Sequence, residues 1–189
     1  MKNTANKLTV LRILMVLPAT AVLFFDFFVW RWVISFLLFL SASYTDHLDG
    51  KLARKNNQIT NFGKIMDPLA DKMLVMSLFI CFSGKGIISA FPVILMVCRE
   101  FLITALRLLS IENGGNVISA NVLGKLKTVI QMSTIGVIMI SEAYIEITHC
   151  DLVFFSRIYE ILIWLCALVT VVSGIEYVIE NYKNINLNK

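Results

Sequence analysis

The sequence predicts an all-α, polytopic integral membrane protein: six transmembrane helices forming a single domain over residues 1–189. Three observations lead there. Of the 189 residues, 58% are hydrophobic. Only 16% are charged, where soluble domains carry about 25%. The apolar residues also fall in long runs, and together they exceed what one small core could hide.

Crossing the hydrocarbon of a bilayer takes about 20 mainly apolar residues in a helix. The first such run extends from Leu8 to Phe28 and contains Pro18; a second starts at Trp30–Trp32 and passes through Ile34–Leu40. A third follows Asn61–Gly63 and runs through Leu74–Phe82, up to a break at Gly84-Lys85-Gly86. The fourth covers Ile87 to Leu109, and the turn-rich Asn113-Gly114-Gly115-Asn116 closes it. The fifth covers Gly124 to Tyr144 and the sixth Leu152 to Val178. Lys2 and Lys7 precede the first run, which lacks a small-residue cleavage pattern and reads as a retained helix.

Six spans put both termini on one side. Lys2, Lys7, Lys51, Arg54, Lys55, Lys64, Lys125, Lys127, Lys183 and Lys189 collect there, and only Arg31, Lys85 and Arg157 fall on the other. The positive-inside rule makes the first side cytoplasmic. Trp30, Trp32 and Tyr144 are expected at the opposite interface as aromatic anchors. The net charge of +4 suits cationic loops beside membrane lipids. The basic residues are scattered between apolar runs, so no nucleic-acid partner is expected. Cys81, Cys98, Cys150 and Cys166 form no CxxC pair and read as structural.

The chemistry gathers where the second run ends and the third begins. Asp46 and Asp49 are three residues apart, and Asp67 and Asp71 are four apart. Either spacing puts both carboxylates on one face of a helix. A short connection should make the two helices antiparallel neighbours, with the faces converging. Four converging carboxylates repel one another unless a cation sits among them. Hard oxygen ligands suit Mg²⁺, Mn²⁺ or Ca²⁺, and a pair of such ions can clamp a diphosphate. Gly50 and Ala53 follow the first two aspartates by four, Gly63 precedes Asp67 by four, and all three leave room for a ligand. Arg54 has the fork that matches phosphate. Pro68 is harmless in a first helical turn and kinks the helix if it lies deeper.

With these residues in place, Asp46–Asp71 resembles the signature of the CDP-alcohol phosphotransferase family, D-x₂-D-G-x₂-A-R-x₈-G-x₃-D-x₃-D. Every fixed position is matched, by Asp46, Asp49, Gly50, Ala53, Arg54, Gly63, Asp67 and Asp71. The resemblance implies a six-helix layout with a cytoplasm-facing polar cavity. It also implies that the four aspartates bind two divalent ions, Mg²⁺ or Mn²⁺, and that Asp71 is the general base. Gly50, Ala53, Arg54 and Gly63 would surround the cytidine diphosphate. A homodimer is implied by the resemblance alone.

A second set of charges bears on the acceptor. Arg99 and Glu100 lie near the middle of the fourth run, Arg107 lies two turns after Arg99, and Lys125 and Lys127 open the fifth run. An arginine at membrane depth is costly unless it is paired or lines a watery cavity. Arg99, Arg107 and Lys125 together suit a phosphate clamp. Alternatively Arg99 pairs with Glu100, and the lysines reach toward headgroups. Arg99–Leu109, Leu123–Thr128, Ser173–Tyr177 and the opening Asn6–Arg12 resemble the bacterial branch of the family that uses sn-glycerol 3-phosphate. That branch would take the phosphatidyl group from CDP-diacylglycerol and release CMP, at the bacterial inner membrane. Cardiolipin, serine and inositol-phosphate branches stay open as alternatives, as does a cation transporter built on the aspartates. Asn6, Thr9 and Arg12 read equally as pocket residues or as a cap with an interfacial arginine.

Overall fold

The computed structural model describes residues 4–25, 28–55, 61–112, 122–149 and 152–181. Side chains at 4–9, 12, 46–55, 61–68, 71, 108, 110–112, 122, 152 and 181 lie outside that description. Six helices account for nearly all of the described chain: α1 (Thr4–Ala21), α2 (Arg31–Lys55), α3 (Asn61–Gly84), α4 (Ala90–Glu112), α5 (Val122–Thr148) and α6 (Leu152–Asn181). A 3-10 turn over Val22–Phe24 follows α1. The first helix thus ends earlier than its apolar run, and the second continues through both Asp46 and Asp49.

The turn between α3 and α4 has local causes. Gly86 adopts φ 72°, the left-handed region that a side chain disfavours. Its N–H reaches the Ser83 carbonyl at 2.9 Å, and the Ile87 N–H reaches Phe82 at 3.0 Å. This pair of bonds is a Schellman cap on α3. Pro92 is the third residue of α4, where its missing N–H has no helical partner to lose. Glu160 of α6 accepts from the Ser89 N–H at 2.7 Å and from its hydroxyl at 2.9 Å, tying the start of α4 to α6. Pro68 lies two turns inside α3, since the helix starts at Asn61.

The helices touch in the circular order α1–α2–α5–α6–α4–α3, and α3 also reaches α5 across the ring. Among the described residues α2 and α3 meet only briefly, because α1 packs against both. The close antiparallel pairing expected of α2 and α3 is therefore shared with a third helix. Trp32, Phe39 and Ala42 of α2 and Leu78, Phe79 and Phe82 of α3 are buried in one core with Ala19 and Leu23. Trp32 is not the interfacial anchor its position suggested: it is 2% exposed and packs on Phe82 at 6.0 Å between ring centroids. Its register places it on the buried stripe with Ser35, Phe39 and Ala42. Trp30 and Tyr144 are exposed.

The outside of the bundle is apolar. Ile161, Leu168 and Ile179 on α6 are 69%, 62% and 70% exposed. A soluble protein would not present such a stripe to water. Among the described residues two segments, Leu123–Thr148 and Val153–Glu180, are long and apolar enough to cross a membrane. The inside carries the polar groups instead: Gln131 donates to Thr170 at 3.2 Å, and Ser141 and Tyr159 share a bond at 2.6 Å. Apolar outside and hydrogen-bonded polar inside is the pattern of a helical membrane protein. Cys81 and Cys166 are buried free thiols and Cys98 is exposed; Cys150 lies outside the described residues.

Candidate active site

Four helices build a polar cavity of about 220 Å³ at one end of the bundle. From α3 come Lys72, Val75 and Met76, and from α4 come Arg99, Glu100, Ile103 and Arg107. From α5 come Gly124, Lys127, Thr128 and Gln131; from α6 come Ser173, Glu176, Tyr177 and Glu180. Spacings of three and four recur in each set, and seven in those of α4, α5 and α6, so each helix gives one stripe to the cavity. Three of the segments that carried the branch resemblance, in α4, α5 and α6, meet here.

Glu100 holds the cavity together. It is 2% exposed. Its Oε2 faces Lys72 at 3.1 Å, and its Oε1 takes Arg99 Nη1 at 3.0 Å and also Lys127. A buried carboxylate is costly alone, and three cations from three helices offset that cost. Arg99 therefore does pair with Glu100, and it still lines the cavity. Arg99 Nη2 donates to Ser173 Oγ at 2.9 Å. Arg107 stands over the Tyr177 ring at 5.8 Å. Among the described residues Arg107 has no carboxylate partner, and the Nε atoms of Arg99 and Arg107 are buried without a hydrogen bond. Buried guanidinium donors of this kind call for an acceptor. Phosphate oxygens supply acceptors in the geometry that arginine prefers.

The structure thus brings Arg99 and Arg107 into one cavity. Lys125 is exposed and lies outside it. Lys127, two residues on, is buried in it. The sequence carried a signal for this choice: Gly124, Lys127, Thr128 and Gln131 repeat at helical spacing, and Lys125 falls off that stripe. Lys72 was not singled out, although it directly follows Asp71.

Asp46, Asp49, Gly50, Ala53 and Arg54 stand in the last three turns of α2, and Gly63, Asp67 and Asp71 in the first half of α3. Their side chains lie outside the described residues. Their places along the helices are informative even so. The cavity is lined by the first half of α5, by α4 from its middle onward and by the second half of α6. It therefore sits at the end of the bundle where α2 finishes and α3 begins, the end that carries all four aspartates. Asp71 immediately precedes Lys72 and lies one turn before Val75, and both line the cavity. Among the described residues no three His, Cys, Asp or Glu side chains gather into a metal site. The four aspartates are hard oxygen donors, paired at helical spacing on two elements, and that donor set fits a divalent ion.

The family model of CDP-alcohol phosphatidyltransferases matches residues 2–172. Among curated proteins, the CDP-diacylglycerol–glycerol-3-phosphate 3-phosphatidyltransferase of Rickettsia typhi is 37% identical, over 94% of this chain and 96% of that protein. The Bacillus subtilis protein of the same name is 38% identical, over 78% of this chain and 72% of that one. A third of that name, from Mycoplasma genitalium, is 32% identical over 97% of this chain and 86% of its own length.

Proposed function

This chain belongs to the CDP-alcohol phosphatidyltransferase family, and we propose that it transfers the phosphatidyl group of CDP-diacylglycerol to sn-glycerol 3-phosphate, giving phosphatidylglycerophosphate and CMP. The observation that carries the acceptor is the cavity in which Arg107 has no carboxylate partner among the described residues and two buried arginine Nε atoms lack acceptors. A phosphomonoester brings both acceptor oxygens and negative charge to the two guanidinium groups, and an uncharged alcohol brings no charge. The names of the relatives support the same donor and acceptor.

In this reading Asp46, Asp49, Asp67 and Asp71 hold two divalent ions, Mg²⁺ or Mn²⁺. Such ions, when bound, supply neutralisation of the diphosphate charge. Gly50, Ala53 and Gly63 leave space for the cytidine diphosphate, and Arg54 faces its phosphates. Arg99, Arg107 and Lys127 hold the acceptor's phosphate, and this fixes its attacking hydroxyl, the primary one of its two, at the level of Asp71. Asp71 takes the proton of that hydroxyl. The oxygen bonds to the phosphorus bearing diacylglycerol, the bond from that phosphorus to the bridging oxygen breaks, and CMP leaves with that oxygen. The protein contributes mainly position and charge, as phosphoryl-group chemistry requires. All six helices span the inner membrane, both termini and the cavity face the cytoplasm, and the protein works as a homodimer.

Purified protein in micelles of CDP-diacylglycerol tests the reading. CMP should appear only when glycerol 3-phosphate and Mg²⁺ or Mn²⁺ are both supplied, and chelation should stop it. Asp71→Asn should lower the rate by about 10²-fold or more, the usual yield of a general base. Release of CMP with serine or phosphatidylglycerol but not with glycerol 3-phosphate would reassign the acceptor.

A further inference from the structure

Arg99 occupies an unusual boundary. Its side chain lines the polar cavity on one side. On the other it backs an apolar groove between α4 and α6, lined by Cys98, Leu102, Val171, Gly174 and Ile175. Cys98 and Leu102 on α4 and Ile175 on α6 are exposed on the lipid-facing surface. A long cationic side chain at such a boundary can turn toward either side unless something fixes it.

Two adjacent residues of α6 do so. Ser173 Oγ accepts from Nη2 at 2.9 Å, and the same hydroxyl donates to the Thr170 carbonyl at 3.0 Å, which sets its orientation. Gly174 supplies the space. A Cβ there would stand 2.9 Å from Arg99 Cγ and 3.0 Å from Nε, closer than atoms in contact come. The stem of Arg99 lies directly against the α6 backbone, and only glycine permits that approach. Glu100 completes the support through Nη1.

We infer that Ser173 and Gly174 form a seat that aims the Arg99 guanidinium at the acceptor's phosphate, making them positioning residues for acceptor recognition. This rests on the reading of the cavity as the acceptor site. Ser173 and Gly174 both touch Arg99; Ser173 also lines the cavity, and an effect that vanishes without Arg99 separates a seat from direct contact with substrate.

The test is a kinetic cycle on the full-length protein in CDP-diacylglycerol micelles. Ser173→Ala and Gly174→Ala should each raise KM for glycerol 3-phosphate about tenfold, equivalent to about 1.4 kcal/mol, while KM for CDP-diacylglycerol stays within about twofold. Ser173→Thr keeps the hydroxyl and should restore most of the loss. Gly136→Ala, whose Cβ would meet only Phe36 at 3.7 Å, controls for helix packing and should change neither constant. In an Arg99→Ala background, Ser173→Ala should add nothing. Where Arg99→Ala turns over too slowly, the dissociation constant of glycerol 3-phosphate from its shift of the melting temperature gives the same cycle. Seat effects that multiply with Arg99→Ala, or that fall equally on both substrates, would overturn the seat and leave the acceptor site standing. An Arg99→Ala protein with unchanged affinity for glycerol 3-phosphate would overturn the acceptor site, and the seat with it.

Discussion

Arg107 and Lys127 share one cavity and play unlike parts in it. Lys127 is committed to Glu100, whereas Arg107 stacks on Tyr177 and has no carboxylate partner among the described residues. Removing Lys127 leaves Glu100 with Lys72 and Arg99 only, so Lys127→Met should harm both stability and acceptor use. The cost of uncoupling a buried pair is about 3 kcal/mol or more. Lys125→Met, at an exposed position, should cost less than about 0.5 kcal/mol and leave the acceptor KM nearly unchanged. Melting temperature and KM of the two variants check this, and equal defects would return Lys125 to the acceptor site. Composition alone does not separate the two lysines. Their helical register does, because it decides which side of α5 each one faces.

At the scale of elements, six apolar runs correspond to six helices, and among the described residues two of these contain segments long and apolar enough to cross a membrane. The break at Gly84-Lys85-Gly86 was legible as well, and the structure adds its geometry. Gly86→Ala should destabilise the α3–α4 turn by about 1 kcal/mol, since the left-handed conformation costs a side chain roughly that much. A Cβ at Gly86 meets nothing within 4 Å, so the loss is conformational strain without a clash. A lower melting temperature at unchanged KM would show it; an unchanged melting temperature would argue against the cap. Trp32 was legible as an aromatic near a helix end but not as core, because its burial depends on Phe82, which lies 50 residues away in the chain. The insertion of α1 against both α2 and α3 was hidden for the same reason: helix order in a ring is set by packing between distant segments.

Across the described residues, an apolar exterior surrounds a mainly apolar core, and a polar cavity lies at one end. The four aspartates were legible as a set because their spacing is local. The polar cavity was legible only in part, because α3, α4, α5 and α6 contribute to it from stretches spread over about 100 residues. Arg99, Glu100 and Arg107 stood out as charges inside an apolar run, while Lys72 gains its meaning only from Glu100, which it meets at 3.1 Å. The claim that joins the two regions is that the acceptor's phosphate is held in this cavity while its hydroxyl meets Asp71. The most direct measurement is the pair of KM values of Arg107→Ala. The expected result is a rise of about tenfold or more for glycerol 3-phosphate with CDP-diacylglycerol nearly unchanged, since Arg107 would touch only the acceptor. An unchanged KM for glycerol 3-phosphate, or an equal rise for both substrates, would contradict it.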